Sequence, residues 1–227
     1  MDELENWLEP VPPSPNRLDD ALELLKSSIE QGAILVGIGP YTNFALLDQK
    51  YPGILQQAHI YLMGGWIYPP KKGYPQWESP RDYNIQQDIA SAKYVLEHAH
   101  PTLIPISITV ETAIRKAYLP RLQQAGALNV LIAHQAEVYA NYRKNEGETD
   151  EKYEALSADL LNFQHDPLAC AVALGWSGVK KALVPLTFEV QDGWLYERVD
   201  AGGRPTTVVV EVDGPAFNML WLETVTG

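Results

Sequence analysis

Three short runs, apolar almost end to end and each followed by glycine or small polar residues, constrain this chain more than anything else in it. Residues 33–38 (AILVGI), 59–63 (HIYLM) and 103–108 (LIPISI) are too short for buried helices. They are also too uniformly apolar for strands with one wet face, so the pattern predicts strands buried on both faces. Helical periodicity fills the spaces between them. Leu18, Ala21, Leu22, Leu25 and Ile29 mark a helix closed by Gly32, another helix begins at Thr42, and Ile85, Ile89, Ala92, Leu96 and Ala99 mark a third. This alternation predicts an α/β fold, an open and mostly parallel sheet flanked by helices.

The second half is less regular. Residues 110–163 read as helical, with Leu128, Leu131, Ile132, Gln135 and Val138 on one face and Tyr153, Leu156, Leu160 and Leu161 on another. A helix over 167–175 is followed by strand candidates at 182–190, 194–198 and 206–212, with the hairpin signal Gln191-Asp192-Gly193 between the first two. A helix over 215–224 closes the chain. Residues 1–15 form an irregular, proline-rich lead, and 1–227 read as one domain.

Composition narrows the function classes. The net charge is −12, with 17 basic against 29 acidic residues and no basic cluster, so a nucleic-acid partner is not expected. No apolar run reaches the length of a membrane span, and the acidic start is neither a signal nor a transit peptide, so the expectation is a soluble, cytoplasmic protein. The single cysteine, Cys170, lies in an apolar run and reads as a small core residue. Nucleotide-phosphate glycine loops, zinc-ligand spacings and the nucleophile elbow of serine hydrolases are all missing from the sequence.

Polar groups concentrate where ligands of such sheets bind, beyond the carboxyl ends of the strands. Gly39-Pro40-Tyr41-Thr42-Asn43 follows the first strand, Gly64-Gly65 the second, and Ser107, Thr109 and Glu111 the third. Glycines there serve either a tight turn or a close backbone approach to a ligand. Asp82-Tyr83-Asn84 presents a carboxylate and an amide two residues apart, suited to a polyol such as ribose, while Asn84 could equally cap a helix. Trp66, Tyr68, Tyr74 and Trp77 offer planar walls nearby. His165 and Asp166 sit side by side ahead of the apolar run 167–174. Pro167 suits a first helical turn, which would make Asp166 the N-cap. The other reading makes Asp166 a ligand for a metal or sugar hydroxyls, with His165 as an adjacent acid.

The order of these motifs resembles the inosine-uridine nucleoside hydrolase family. Gly39-Pro40-Tyr41-Thr42-Asn43-Phe44-Ala45, Met63-Gly64-Gly65, Asp82-Tyr83-Asn84 with Asp88 and Ala92, and His165-Asp166-Pro167-Leu168-Ala169 follow one another as that family's motifs do, over about residues 18–225. The resemblance implies a calcium-dependent enzyme that cleaves the N-glycosidic bond of purine or pyrimidine nucleosides to base and ribose. It implies calcium ligands in the carboxylate of Asp166 and the backbone carbonyl of Ile38. It further implies ribose contacts from Asp82, Asn84, Gln76, Met63 and Asp166, and a leaving-group role for His165.

Departures accompany the resemblance. Asp82 stands where the family has glutamate, Gln76 where it has asparagine, and Ile89 where it has proline. The family's opening aspartate-rich strand, source of further calcium ligands and of the carboxylate that activates water, has no counterpart before residue 33. Asp19-Asp20 is better read as part of a helix. The expectation is therefore a sheet without the family's N-terminal strands, an incomplete calcium site and impaired turnover. The expected partners are a nucleoside or ribose, and either a second copy of the chain or a complementing N-terminal chain. The alternative is a non-catalytic nucleoside- or ribose-binding protein.

Overall fold

The computed structural model describes residues 17–145 and 153–227. The first half runs α1 (Leu18–Glu30), β1 (Ile34–Gly37), α2 (Thr42–Lys50), β2 (His59–Met63), α3 (Tyr83–Gln86), α4 (Ile89–His98), β3 (Thr102–Ile104) and α5 (Ile106–Thr109). The second half runs β4 (Ala113–Arg115), α6 (Leu119–Gln124), α7 (Ala127–Asn145), β5 (Leu160–Phe163), α8 (His165–Ala173), β6 (Val179–Gln191), β7 (Trp194–Val199), β8 (Arg204–Val212) and α9 (Gly214–Thr226). Six strands form one mixed sheet in the order β1-β2-β3-β8-β6-β7, and β4 and β5 form a separate antiparallel ribbon. The pairs β1–β2, β2–β3 and β3–β8 are parallel, whereas β6 runs antiparallel to both β8 and β7. No described helix is long and apolar enough to cross a membrane.

Strand geometry explains the uniform apolarity of the central strands. Successive side chains point to opposite faces. Leu62, Leu103 and Val208 join Leu47 of α2 and Leu96 of α4 in one core, while Met63, Ile104 and Val209 join Leu168 and Val172 of α8 and Phe217 of α9 in the other. Both faces are covered, and each fully buried side chain of this size contributes about 1.5–3 kcal/mol.

The reading of 33–38 as a strand buried on both faces holds for its middle, where Leu35 lies in one core and Val36 packs against the other, and fails at its first residue. β1 is an edge strand, with no neighbour beyond it among the described residues, and Ile34 is 50% exposed. The run 103–108 also divides. Pro105, which has no N–H to give a ladder, ends β3, and the next residues turn into α5.

The middle segment differs most from expectation. Residues 160–163 are strand β5, paired with β4, and not part of a helix; Tyr153 and Leu156 lie in the turns before it. Cross-strand pairing with Ala113 and Ile114 settles a run whose leucines alone do not distinguish the two periods. In α7 the buried face is Asn129, Ala133, Ala136 and Ala140, while Leu128 is 69% exposed. Small alanines let α7 approach its neighbours closely, so size and not hydrophobicity selects that face. The Asp192-Gly193 turn is present, with both residues at positive φ (51° and 83°), as a tight hairpin requires.

Candidate functional site

A cavity of about 470 Å³ opens beyond the carboxyl ends of β1 and β2. Its floor is made by Ile38, Met63, Asp82, Asn84 and Ile106, and the first turn of α8 brings in His165, Asp166 and Pro167. Its walls are Trp77, Arg81 and Tyr83 from the long loop and α3, Ile114, Asn162 and Phe163 from the ribbon, and Tyr139 from α7. Ile38, Met63, Asp82, Asn84, His165 and Asp166 thus border one space. Gln76 does not join them. It is exposed on the long loop, and its Nε2 donates to the carbonyls of Tyr74 (2.9 Å) and Lys71 (3.1 Å).

The turn after β2 is held by hydrogen bonds that converge on it. The carbonyl of Met63 accepts from the Tyr41 hydroxyl and from Asn84 Nδ2, both at 3.1 Å. Gly64 and Gly65 both have positive φ (146° and 101°). A Cβ on Gly64 would collide with the Tyr41 hydroxyl, so glycine is required there for both reasons. Asp82 Oδ2 accepts from the Gly65 N–H at 2.5 Å, and Oδ1 from the Ile85 N–H at 3.2 Å.

These bonds correct the capping assignments. Asp82, not Asn84, caps α3, and Asp88 caps α4 by accepting from the Ser91 N–H at 3.1 Å. One pattern in the sequence therefore becomes two helices. Asp82 is buried, and burial pushes its carboxyl up to about 6 although three backbone hydrogen bonds pull the other way. Those three bonds take up most of its roughly four lone-pair sites, which leaves about one for a ligand.

Behind this turn lies a carboxylate the sequence reading did not single out. Glu197 of β7 is 4% exposed; its Oε2 accepts from the Trp66 N–H at 3.0 Å, and its Oε1 is buried with no partner. Burial, reinforced by the Asp82 charge, pushes its carboxyl up to about 8. The strand pattern carried a signal, because Leu195 and Glu197 occupy alternate positions on the inward face.

The helix of the His-Asp pair starts earlier than expected. α8 begins at His165 with Gln164 as its N-cap residue, so Asp166 lies in the first turn and is not the cap. There its charge still meets the positive end of the helix. With only burial acting on it, the Asp166 carboxyl is raised from its ordinary value. His165 packs against the rings of Phe163 and Trp77, with centroids 5.4 and 6.2 Å away, those two rings also meeting edge to face, and its Nδ1 lies 2.5 Å from Thr109 Oγ1. Burial, aided by the nearby Arg143 charge, pushes the ring down to about 4, so it is neutral at pH 7.

The donor set near α8 fits a calcium ion poorly. Calcium takes six to eight oxygens, and the lining brings together the carboxylates of Asp166 and Asp82, the side-chain amides of Asn84 and Asn162, and Ile38, whose carbonyl the resemblance implies as a ligand. Among the described residues no three histidine, cysteine, aspartate or glutamate side chains gather as a metal site. The nearest other carboxylate in the lining, Asp82, is committed to backbone N–H groups.

Solved structures of nucleoside hydrolases share this fold. A purine-preferring ribonucleoside hydrolase from Gardnerella vaginalis superposes with a TM-score of 0.78 at 22% identity, over 98% of this chain and 70% of that one. A plant nucleoside hydrolase gives 0.75 at 20% identity, over 97% and 71%. An inosine-uridine preferring nucleoside hydrolase from Bacillus anthracis gives 0.60 at 18% identity, over 95% and 66%. No curated protein is significantly similar in sequence. The family model for inosine-uridine preferring nucleoside hydrolases matches residues 2–219, and the chain belongs to that family.

Proposed function

We propose that the cavity binds a ribonucleoside and that its chemistry is hydrolysis of the N-glycosidic bond. The observation that carries this reading is the meeting of His165 and Asp166, at the start of α8, with Asn84, Asp82 and an aromatic wall around a space of about 470 Å³. Trp77, Phe163 and Tyr139 suit the faces of a planar base, and the polar floor suits ribose hydroxyls, which both donate and accept. His165, neutral at pH 7, would support the departing base by hydrogen bonding, and transfer of a full proton from it would be confined to acidic solution. Asp166 and the Ile38 carbonyl would offer a divalent cation two ligands, with water completing the shell at low affinity.

A second reading, nucleoside binding without turnover, is favoured by that short donor set. No carboxylate of the described lining is both free of backbone partners and additional to Asp166. Release of free base from inosine and uridine, in calcium and in chelator, separates the two. Slow release that calcium accelerates, and that Asp166→Ala removes, supports the hydrolase reading. No release from protein with a cooperative melt leaves the binding reading. Rapid release indifferent to chelator and to Asp166→Ala contradicts the assignment of Asp166.

A further inference from the structure

Trp77 reaches the cavity from the long loop between β2 and α3, and just before it that loop makes a turn fastened at points outside the cavity. The Tyr74 N–H donates to the Lys71 carbonyl at 3.2 Å, and Gly73 within the turn has φ +90°. A Cβ on Gly73 would meet Ala155 at 3.1 Å, and the Gly73 carbonyl accepts from the Ala155 N–H at 3.0 Å. Lys71, which opens the turn, donates from Nζ to Glu111 Oε2 at 2.7 Å. Neither Lys71 nor Glu111 borders the cavity that Trp77 walls.

The two ends of that ion pair differ. The Glu111 side chain is 5% exposed and the Lys71 side chain 54%. Glu111 Oε1 is buried without a partner, so the bond from Lys71 is what compensates the carboxylate. The Glu111 main chain is fixed as well. Its N–H donates to the Ile108 carbonyl at 3.1 Å, and a Cβ on Gly214, the first residue of α9, would fall 2.1 Å from the Glu111 carbonyl oxygen. Two exposed charges would hold a loop weakly. A buried carboxylate is left uncompensated when its cation departs, which holds the loop bearing that cation in place.

From this turn the chain passes Pro75 and Gln76 to Trp77, whose ring meets Phe163 edge to face at 5.3 Å and His165 at 6.2 Å. The next fastening comes at Ser79, whose carbonyl accepts from Gln86 Nε2 at 3.0 Å. Trp77 is thus carried on a short span between two fixed points.

We infer that Glu111 is a positioning residue: through its ion pair with Lys71 it holds the turn at 71–74 and so sets the place of Trp77 in the cavity wall. The anchoring stands by itself, and its bearing on a planar base rests on the nucleoside reading above.

Hydrogen exchange of the loop amides, read by mass spectrometry on the purified chain, tests the anchoring without a ligand. The variant combines Lys71→Met with Glu111→Leu, which removes both charges and leaves no unpaired one buried. Exchange over 74–79 should rise about tenfold, with β2 and β3 unchanged. Lys71→Arg, which keeps a cation for the carboxylate, should retain wild-type protection. Unchanged exchange over 74–79 in the double variant, or an equal rise in β2 and β3, overturns the inference. If the double variant does not fold, Lys71→Met alone decides by the same criteria.

Calorimetric titration of inosine tests the link to Trp77. The double variant should raise the Kd about fivefold in the wild-type background and less than about twofold in Trp77→Ala, because its effect passes through that ring. Equal factors in the two backgrounds overturn the inference. Absence of inosine binding by the wild type counts against the nucleoside reading alone, because the exchange measurement does not depend on it.

Discussion

Replacing Glu197 by glutamine should remove a pH-dependent instability built into the turn behind the cavity. The Oε1 of Glu197 is buried without a partner, and its other oxygen accepts from the Trp66 N–H at 3.0 Å. Its carboxyl is pushed up to about 8 from an ordinary 4.5, so between those values the native chain holds a proton that the unfolded chain has lost. Stability then falls as pH rises through that window: the contribution is intact below pH 4.5 and lost above pH 8. At about 1.4 kcal/mol per unit, the whole shift corresponds to about 5 kcal/mol. Glutamine keeps the acceptor for Trp66 and cannot ionise, so it imitates the protonated acid at every pH. Urea unfolding of wild type and Glu197→Gln at a series of pH values from 4 to 9 reports on this group together with Asp82, whose charge it feels, while titrating groups remote from both cancel in the difference. The variant should match the wild type at pH 4 and exceed it by several kcal/mol at pH 9. With about 2–4 °C of Tm per kcal/mol for a chain of this size, that is about 10–20 °C. Parallel stability curves, or a variant weaker at pH 9, would refute the reasoning.

Two further substitutions probe the same turn. Asp82→Ala leaves the Gly65 and Ile85 N–H groups without their acceptor, and at about 1–3 kcal/mol each it should cost about 2–6 kcal/mol in urea unfolding at pH 5; a loss below about 1 kcal/mol would deny Asp82 its structural role. Gly64→Ala adds a Cβ at φ +146° against the Tyr41 hydroxyl and should cost about 3 kcal/mol or more. Calorimetry showing an unchanged Tm for that variant would contradict the crowding.

The sheet was legible because its central strands are buried on both faces, and Leu62-Met63 and Leu103-Ile104 show it as consecutive apolar residues. The apolarity of β1 does not show that it is an edge strand, because apolarity records what a strand packs against and says little about which neighbours it pairs with; an open edge was expected only from the family strands that have no counterpart before residue 33. Alanine-lined α7 and the short β5 were misread for a related reason: their placement depends on close approach and on β4, which no local period encodes. At the site, motif order located His165, Asp166, Asn84 and Met63 around one cavity, while Gln76 points elsewhere because backbone carbonyls of its own loop capture its amide. Asp82 was found for its carboxylate, yet its bonds to Gly65 and Ile85 depend on a fold that the triplet Asp82-Tyr83-Asn84 does not describe. Glu197 and Glu111 act through contacts distant in sequence, at Trp66 and Lys71, and only the inward register of Glu197 gave any hint.

Calorimetric titration of inosine into the purified chain, repeated with Asp166→Ala, addresses the ribonucleoside site most directly. Saturable binding of about one inosine per chain, weakened at least tenfold by the substitution, is the result expected of a site floored by Asp82 and Asn84 and headed by Asp166. Absence of saturable binding in folded protein, or equal binding by the variant, would contradict it.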